Sequence, residues 1–285
     1  MSAKTVAVQR FPRLHRATEQ SFKSWNRIGS QMAFYVNTLG DVRFAIANYK
    51  SEMLRLVAGM SLGVGALAVI GGTVVIVGFL TLSTGAIIAV QGYNQLSGIG
   101  VEALTGFLAA YVNVRITAPA TAGIALAATI GAGATAQLGA MRISEEIDAL
   151  EAMAIRSVAY LASTRVAAGV LVVIPLYCIA VLMTFVAARV STTAIYGQAT
   201  GVYDHYFTTF LNPTDLLWSF MTATVLAVVI MLMHTYYGYT ATGGPAGVGE
   251  AVGRAVRASL IVSAFTVLVI SLAVYGQSGN FNLSG

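Results

Sequence analysis

Long apolar stretches alternate with short polar ones along this chain, and the charged residues mark where the stretches end. Between Arg55 and Glu102 lie 46 residues, none of them charged. A helix of about 20 apolar residues crosses the hydrocarbon layer of a bilayer. The pattern predicts a first span at about 57–82, with 83–101 as an outside loop or re-entrant turn. A second span falls at about 103–131 and contains Arg115 and Pro119. The third, 166–188, is 23 uncharged residues; the fourth, about 216–238, carries His234, and the fifth is about 258–275. Ahead of these, Ile28, Met32, Tyr35, Val36, Leu39, Val42, Ile46 and Tyr49 recur with a helical period, with Ser30, Gln31, Asn37, Thr38 and Asp41 between them. That stretch is too polar to span. It predicts an amphipathic helix lying in the cytoplasmic membrane interface, the alternative being a soluble helix packed on a partner. The predicted fold is therefore an all-α membrane protein: a cytoplasmic segment over 1–56 with an interfacial helix, then a five-helix transmembrane domain over 57–285.

Composition agrees with this reading. Only 9% of the 285 side chains are charged and 57% are hydrophobic, against about 25% charged in an average soluble domain. So little charge cannot cover a soluble surface, and it excludes a nucleic-acid binder. The net charge of +5 is unevenly placed. The predicted inside segments 1–56, 132–165 and 240–257 hold nine, three and two of the 16 Lys and Arg, and the outside segments 83–102, 189–215 and 276–285 hold one, Arg189. Such a bias places the N-terminus in the cytoplasm and, after five crossings, the C-terminus outside. The basic start is no signal peptide, because the first apolar run begins only near Val57. Gly59 and Gly63 stand at GxxxG spacing, followed by Gly71, Gly72 and Gly78, which favours close helix crossing against a second subunit. The single cysteine, Cys178, excludes an internal disulfide and is expected to be a buried, inert thiol.

Two places carry candidate chemistry. Glu145, Glu146, Asp148 and Glu151 put four of the eleven carboxylates within seven residues. Ser144 is a plausible N-cap, and Ile147, Leu150 and Met153 or Ala154 share the opposite face, giving a short helix with one acidic and one apolar side. A solvated loop helix is the plain reading; a docking surface for a cytoplasmic partner is the sharper one. In the second span, Arg115 is a charge in an apolar helix, which normally faces a cavity or a partner. Pro119 lacks the N–H that would bond the carbonyl of residue 115, so the helix should kink or loosen there. An anionic lipid head could be received at that point, or the Arg could serve a structural ion pair. Tyr93, near the outer face, is a gate or an interfacial anchor.

Enzymatic readings fare poorly. No GxxxxGK[ST] occurs, so ATP is not hydrolysed by this chain. Gly59-Met60-Ser61-Leu62-Gly63 matches GxSxG, but an intramembrane serine hydrolase would need His234 beside Ser61. No metal site is expected, since His15, His205 and His234 lie at different sides or depths and Cys178 has no companion. Asp204-His205 is a lone outer-loop pair.

The stretch AQLGAMRISEEIDALEAMAIRSVAYLASTR at 136–165, GYNQL at 92–96 followed by Gly100 and Glu102, and GYTATGGPAGVGEAVGRAVRASL at 238–260 resemble the MlaE/YrbE family, the permease subunits of lipid-transporting ABC systems. In detail they are most similar to the B-type YrbE subunits of mycobacterial Mce systems. The resemblance covers about residues 30–278 and implies an interfacial helix plus five transmembrane helices. It implies that the helix at about 144–154, with Ser144, Glu145, Glu146, Ile147, Asp148, Leu150 and Glu151, is the coupling helix seated on an ATPase dimer that holds ATP and Mg. It also implies an A-type permease chain as heterodimer partner and MCE substrate-binding proteins outside the plasma membrane. The cargo implied is fatty acids, mycolic acids or related lipids; the alternative role is a structural anchor for the MCE tube without lipid contacts. Arg115, Pro119 and Tyr93 are the candidate pathway residues. The chain departs from the family pattern at Ala154-Ile155-Arg156-Ser157, where Gly-Ile-Asp-Pro is usual. It departs again at Arg115-Ile116-Thr117-Ala118-Pro119, where a Glu usually follows the Arg. An acidic partner for Arg115 must then come from another helix, a paired subunit or the substrate.

Overall fold

In a computed structural model, residues 12–62 and 72–276 are described, and among them no strand occurs. Gly63, Gly71 and the chain ends lie outside the described residues. Among the described residues three helices come first: α1 (Pro12–Gly40), α2 (Val42–Asn48) and α3 (Lys50–Leu62). Five helices among the described residues are long and apolar enough to cross a membrane: α4 (Gly72–Ser97), α5 (Glu102–Ile143), α7 (Val158–Ile195), α9 (Pro213–Tyr239) and α10 (Gly244–Tyr275). Two short helices link them, α6 (Glu146–Ala152) between α5 and α7, and α8 (Thr200–Phe210) between α7 and α9. The end of the bundle that carries α6 is called here the acidic end, and the one that carries α8 the far end.

The number of long helices is as expected, but the first is displaced. It occupies 72–97, so residues 57–62 belong to the preceding helix and 83–97 are helical rather than a loop or re-entrant turn. The physical reason lies in the polar tract at 81–84. Thr81 and Thr84 donate to the carbonyls of Val77 and Leu80 at 2.9 and 2.7 Å, so each hydroxyl is satisfied within its own helix and nothing terminates it. In the glycine-rich 240–257 stretch the loop is confined to 240–243: α10 starts at Gly244, after Gly243 in the left-handed region at φ 91°, with Pro245 in its first turn.

α9 is among the most enclosed helices of the bundle, together with α5. Leu226, Ile230 and Met231 pack with Leu126 and Ile130 of α5 and with Val172 and Leu176 of α7. Gly131 of α5 permits the approach, because a Cβ there would lie 2.6 Å from the His234 ring. His234 itself is fully buried, with Nδ1 2.7 Å from Thr135 Oγ1 and Nε2 3.1 Å from Ser259 Oγ, which ties α9 to α5 and α10. α4 packs along α7, and α8 covers the first turns of α5.

At 42 residues α5 is about 63 Å long at 1.5 Å per residue. It therefore outreaches α9 and α10, which matters for Arg115 below. On α1 and α2, Ile28, Met32, Val36, Leu39 and Ile46 are exposed, while Thr38 and Ala45 face the bundle and the Thr38 carbonyl accepts from Ser163 Oγ at 2.8 Å. The apolar stripe thus points away from the protein. Cys178 does the same: it is exposed on α7, beside the outward-facing Ile174 and Leu182, and is not the buried thiol expected.

Candidate functional site

At the acidic end the chain turns sharply twice. Glu145 and Ala154, at either end of α6, both have φ 59°, a left-handed conformation that few non-glycine residues adopt. The first turn corrects the expected N-cap. Ser144 closes α5 and donates to the Ala140 carbonyl at 3.0 Å and to a Glu146 carboxylate oxygen at 2.9 Å; it caps no N–H of α6. The helix is accordingly shorter than 144–154, seven residues from Glu146.

α6 is held by its apolar side. Ile147 is completely buried against Leu138 of α5 and Leu161 of α7, with Leu150 and Tyr239 at the edge. Complete burial of such a side chain stabilises by about 1.5–3 kcal/mol. Met153, expected on the same face, is exposed instead, because the helix ends before it. The carboxylates of Glu145 and Glu146 point outward into solvent. Asp148 accepts from Arg142 at 2.6 Å, an exposed pair of the kind worth at most about 1 kcal/mol. Glu151 is better tied: Oε1 accepts from Ser157 Oγ at 2.6 Å and from Tyr239 Oη at 2.9 Å. These two donors, Ser157 first, hold its carboxyl below the ordinary glutamate value.

Two of the three residues that depart from the family pattern after α6 make side-chain contacts. Ser157 binds Glu151; Arg156 lies 3.8 Å from Asp41 and over the Phe44 ring, joining the α6–α7 turn to the α1–α2 turn. Phe34 of α1 adds ring contacts to Tyr236 and Tyr239 of α9. α1, α6 and α9 therefore meet at one place.

Arg115 lies at the other end of the molecule. It is level with Asp215, third residue of α9, and Tyr275, last of α10, at the ends of those helices rather than midway along them. The reason is the length of α5, whose first third rises past both helix ends. Arg115 Nε and Nη2 donate to Asp215 Oδ2 at 3.0 and 2.7 Å, and the guanidinium lies over the rings of Tyr111 and Tyr275 at 3.7 and 4.3 Å. Arg and Asp side chains are 9% and 14% exposed. The acidic partner is thus on another helix of the same chain. Asp215 was the missed residue; its signal was the Asn212-Pro213-Thr214-Asp215 helix start, where Asn212 accepts from the Thr214 N–H and an acid belongs in the first turn. Beside Arg115 the helix widens into a π turn, Asn113–Thr117, just before Pro119.

Tyr93, near the far end of α4, stacks on Tyr196 with centroids 4.2 Å apart. Asp204 is paired with Arg189 at 2.8 Å. Among the described residues no group of three metal-ligating side chains occurs. Ser61 donates to the Val57 carbonyl, and both His234 nitrogens are engaged elsewhere, so they form no nucleophile–base pair. An apolar groove of 710 Å³ lies between α3, α4 and α5, lined by Leu56, Met60, Ile76 and Ile130, with Arg55 and Gln137.

Comparison with known proteins adds three kinds of relative. The family model for permease MlaE matches residues 64–273. A probable ABC transporter permease protein of Rickettsia felis is 25% identical, the match covering 87% of this chain and 96% of the relative. The intermembrane phospholipid transport system permease protein MlaE of Haemophilus influenzae is 27% identical over 64% of this chain and 70% of its own length. Protein TRIGALACTOSYLDIACYLGLYCEROL 1, chloroplastic, of Arabidopsis thaliana is 26% identical over 69% of this chain and 56% of its own length.

Proposed function

The chain belongs to the MlaE permease family, and from that premise we propose that it moves lipid through the membrane while a separate ATPase subunit docks on α6. The observation that carries this reading is the construction of α6: Ile147 roots the helix in the bundle, and Glu145 and Glu146 are left outward with no basic partner in the described structure. ATP hydrolysis belongs to the partner, and the mechanism is mechanical: closure of the ATPase dimer displaces α6, and the bundle changes which side its lipid path faces.

Several finer points belong to the same reading. Pairing with an A-type permease chain, a plasma-membrane location with the acidic end in the cytoplasm, MCE proteins at the far end, and import of fatty or mycolic acids are supported by the sequence resemblance and the distribution of basic residues. Phospholipid as cargo is supported by the name of the Haemophilus influenzae relative. Ser144, Glu145, Glu146, Ile147, Asp148, Leu150 and Glu151 form the docking element. Arg115, with Pro119, and Tyr93 border the path at the far end; the pairing of Arg115 with Asp215 favours holding that end together over binding a free anionic head. The anchor role without lipid contact is the second reading.

The test is charge reversal of Glu145→Lys together with Glu146→Lys in membranes that also contain the ATPase subunit. The variant is expected to insert normally and to lose ATPase association in a pull-down. Full association would remove the reading. Lipid mass spectrometry of the parent complex names the cargo, and a lipid-free complex would favour the anchor role.

A further inference from the structure

Three oxygens at the root of α6 form a closed polar contact at the acidic end. Glu151 Oε1, Ser157 Oγ and Tyr239 Oη lie 2.6, 2.9 and 2.8 Å from one another. Two hydroxyl protons serve the three oxygens. Either both hydroxyls donate to the carboxylate, or one donates to the other, which donates onward; the carboxylate accepts from both in the first case, and in the second from one hydroxyl that the other in turn holds. Hydrogen bonds to an ionised acceptor are roughly twice as strong as neutral ones.

The placement gives the contact its meaning. Glu151 is in the last turn of α6, Ser157 immediately precedes α7, and Tyr239 is the last residue of α9. The remaining holds on α6 are of another kind. The Ile147 contact is apolar and therefore non-directional, and Arg142–Asp148 is exposed and reaches only α5. α6 is also flanked by Glu145 and Ala154 in strained backbone, two points about which a short helix can tilt. α9, by contrast, is tied along its length: to α5 and α10 through His234, to α7 through Tyr177 and Ser219, and to α5 again through Asp215 and Arg115.

We propose that Glu151, Ser157 and Tyr239 are positioning residues for energy coupling: they fasten α6 to the end of α9, so that a push on α6 moves α9 and the Arg115–Asp215 pair instead of tilting α6 alone. The proposal rests on the docking reading above. It makes α9 the driven element, and it assigns work to Ser157, one of the positions where the chain departs from the family pattern.

The experiment uses the full chain in complex with its ATPase subunit in lipid nanodiscs. Nitroxide labels are placed at Met153 and Val225, both exposed, on a Cys178→Ser background. Electron-spin distance measurements are taken without nucleotide and after trapping with ADP and vanadate. The parent is expected to give one narrow distance, the same in both states, because α6 and α9 move together. Ser157→Ala and Tyr239→Phe should each broaden the distribution and make it shift on trapping, while Ser157→Thr restores the parent behaviour and Tyr237→Phe leaves it unchanged. A general loss of packing would not be rescued by one hydroxyl. Distributions as narrow and as fixed in Ser157→Ala and Tyr239→Phe as in the parent overturn the proposal. Failure of the docking reading shows separately, as a Met153 label in the parent whose mobility does not change when the ATPase subunit is added.

Discussion

Ala154→Gly isolates the backbone term at the end of α6. Ala154 sits at φ 59°, donates its N–H to the Glu151 carbonyl at 2.9 Å, and is followed by Ile155, whose N–H reaches the Leu150 carbonyl at 3.0 Å. This is the helix ending that glycine favours. A Cβ in the left-handed region costs about 1–2 kcal/mol, whereas the extra freedom of glycine in the unfolded chain costs about 0.4–1 kcal/mol. The difference is a net stabilisation of about 0.5–1 kcal/mol, or a roughly two- to fivefold change in a local opening equilibrium. Amide hydrogen exchange at Ile155 reads that equilibrium directly, since its N–H is released when the turn opens. Exchange is expected to slow by that factor, with little change in the core of α7. Unchanged or faster exchange at Ile155 would refute the strain argument and, with it, the view that α6 is bounded by two stressed turns.

Two further outcomes are expected. Arg115→Ala leaves a nearly buried carboxylate without its partner, a change that costs about 3–5 kcal/mol; adding Asp215→Ala should recover part of the loss, and a thermal-unfolding double-mutant cycle that finds no coupling would dismiss the pair as structural. Glu151, whose carboxyl is held below its usual value by Ser157 and then Tyr239, contributes stability that is fully present above the unfolded value of about 4.3 and is lost only as pH falls through the lower folded value. A carboxyl carbon NMR titration should therefore find its midpoint below the ordinary glutamate value, and Tyr239→Phe should move it upward.

The sequence made five crossings and an acid-rich helix readable because both are one-dimensional signals: apolar run length in one case, local charge density in the other. It could not place the first crossing, since 46 uncharged residues hold more than one helix length and Thr81 and Thr84 are satisfied within their own helix. It could not pair Arg115 either. Asp215 lies 100 residues away, and its proximity depends on how far α5 overshoots α9, a length that hydropathy alone does not set. Ser157 and Tyr239 were silent for the same reason, being ordinary hydroxyls until the ends of α6 and α9 are brought together. Ser144 misled because a serine before acidic residues signals a cap only when the backbone there is extended, and the left-handed Glu145 intervenes.

The overshoot of α5 also shapes the far face. Thirteen residues separate its start from Arg115, which makes a shoulder about 20 Å high, with α8 buttressing it and the tips of α9 and α10 recessed at its foot. A molecule arriving from that direction meets a tall wall on one flank and a low sill on the other, with the tyrosine-lined arginine set at the base of the step.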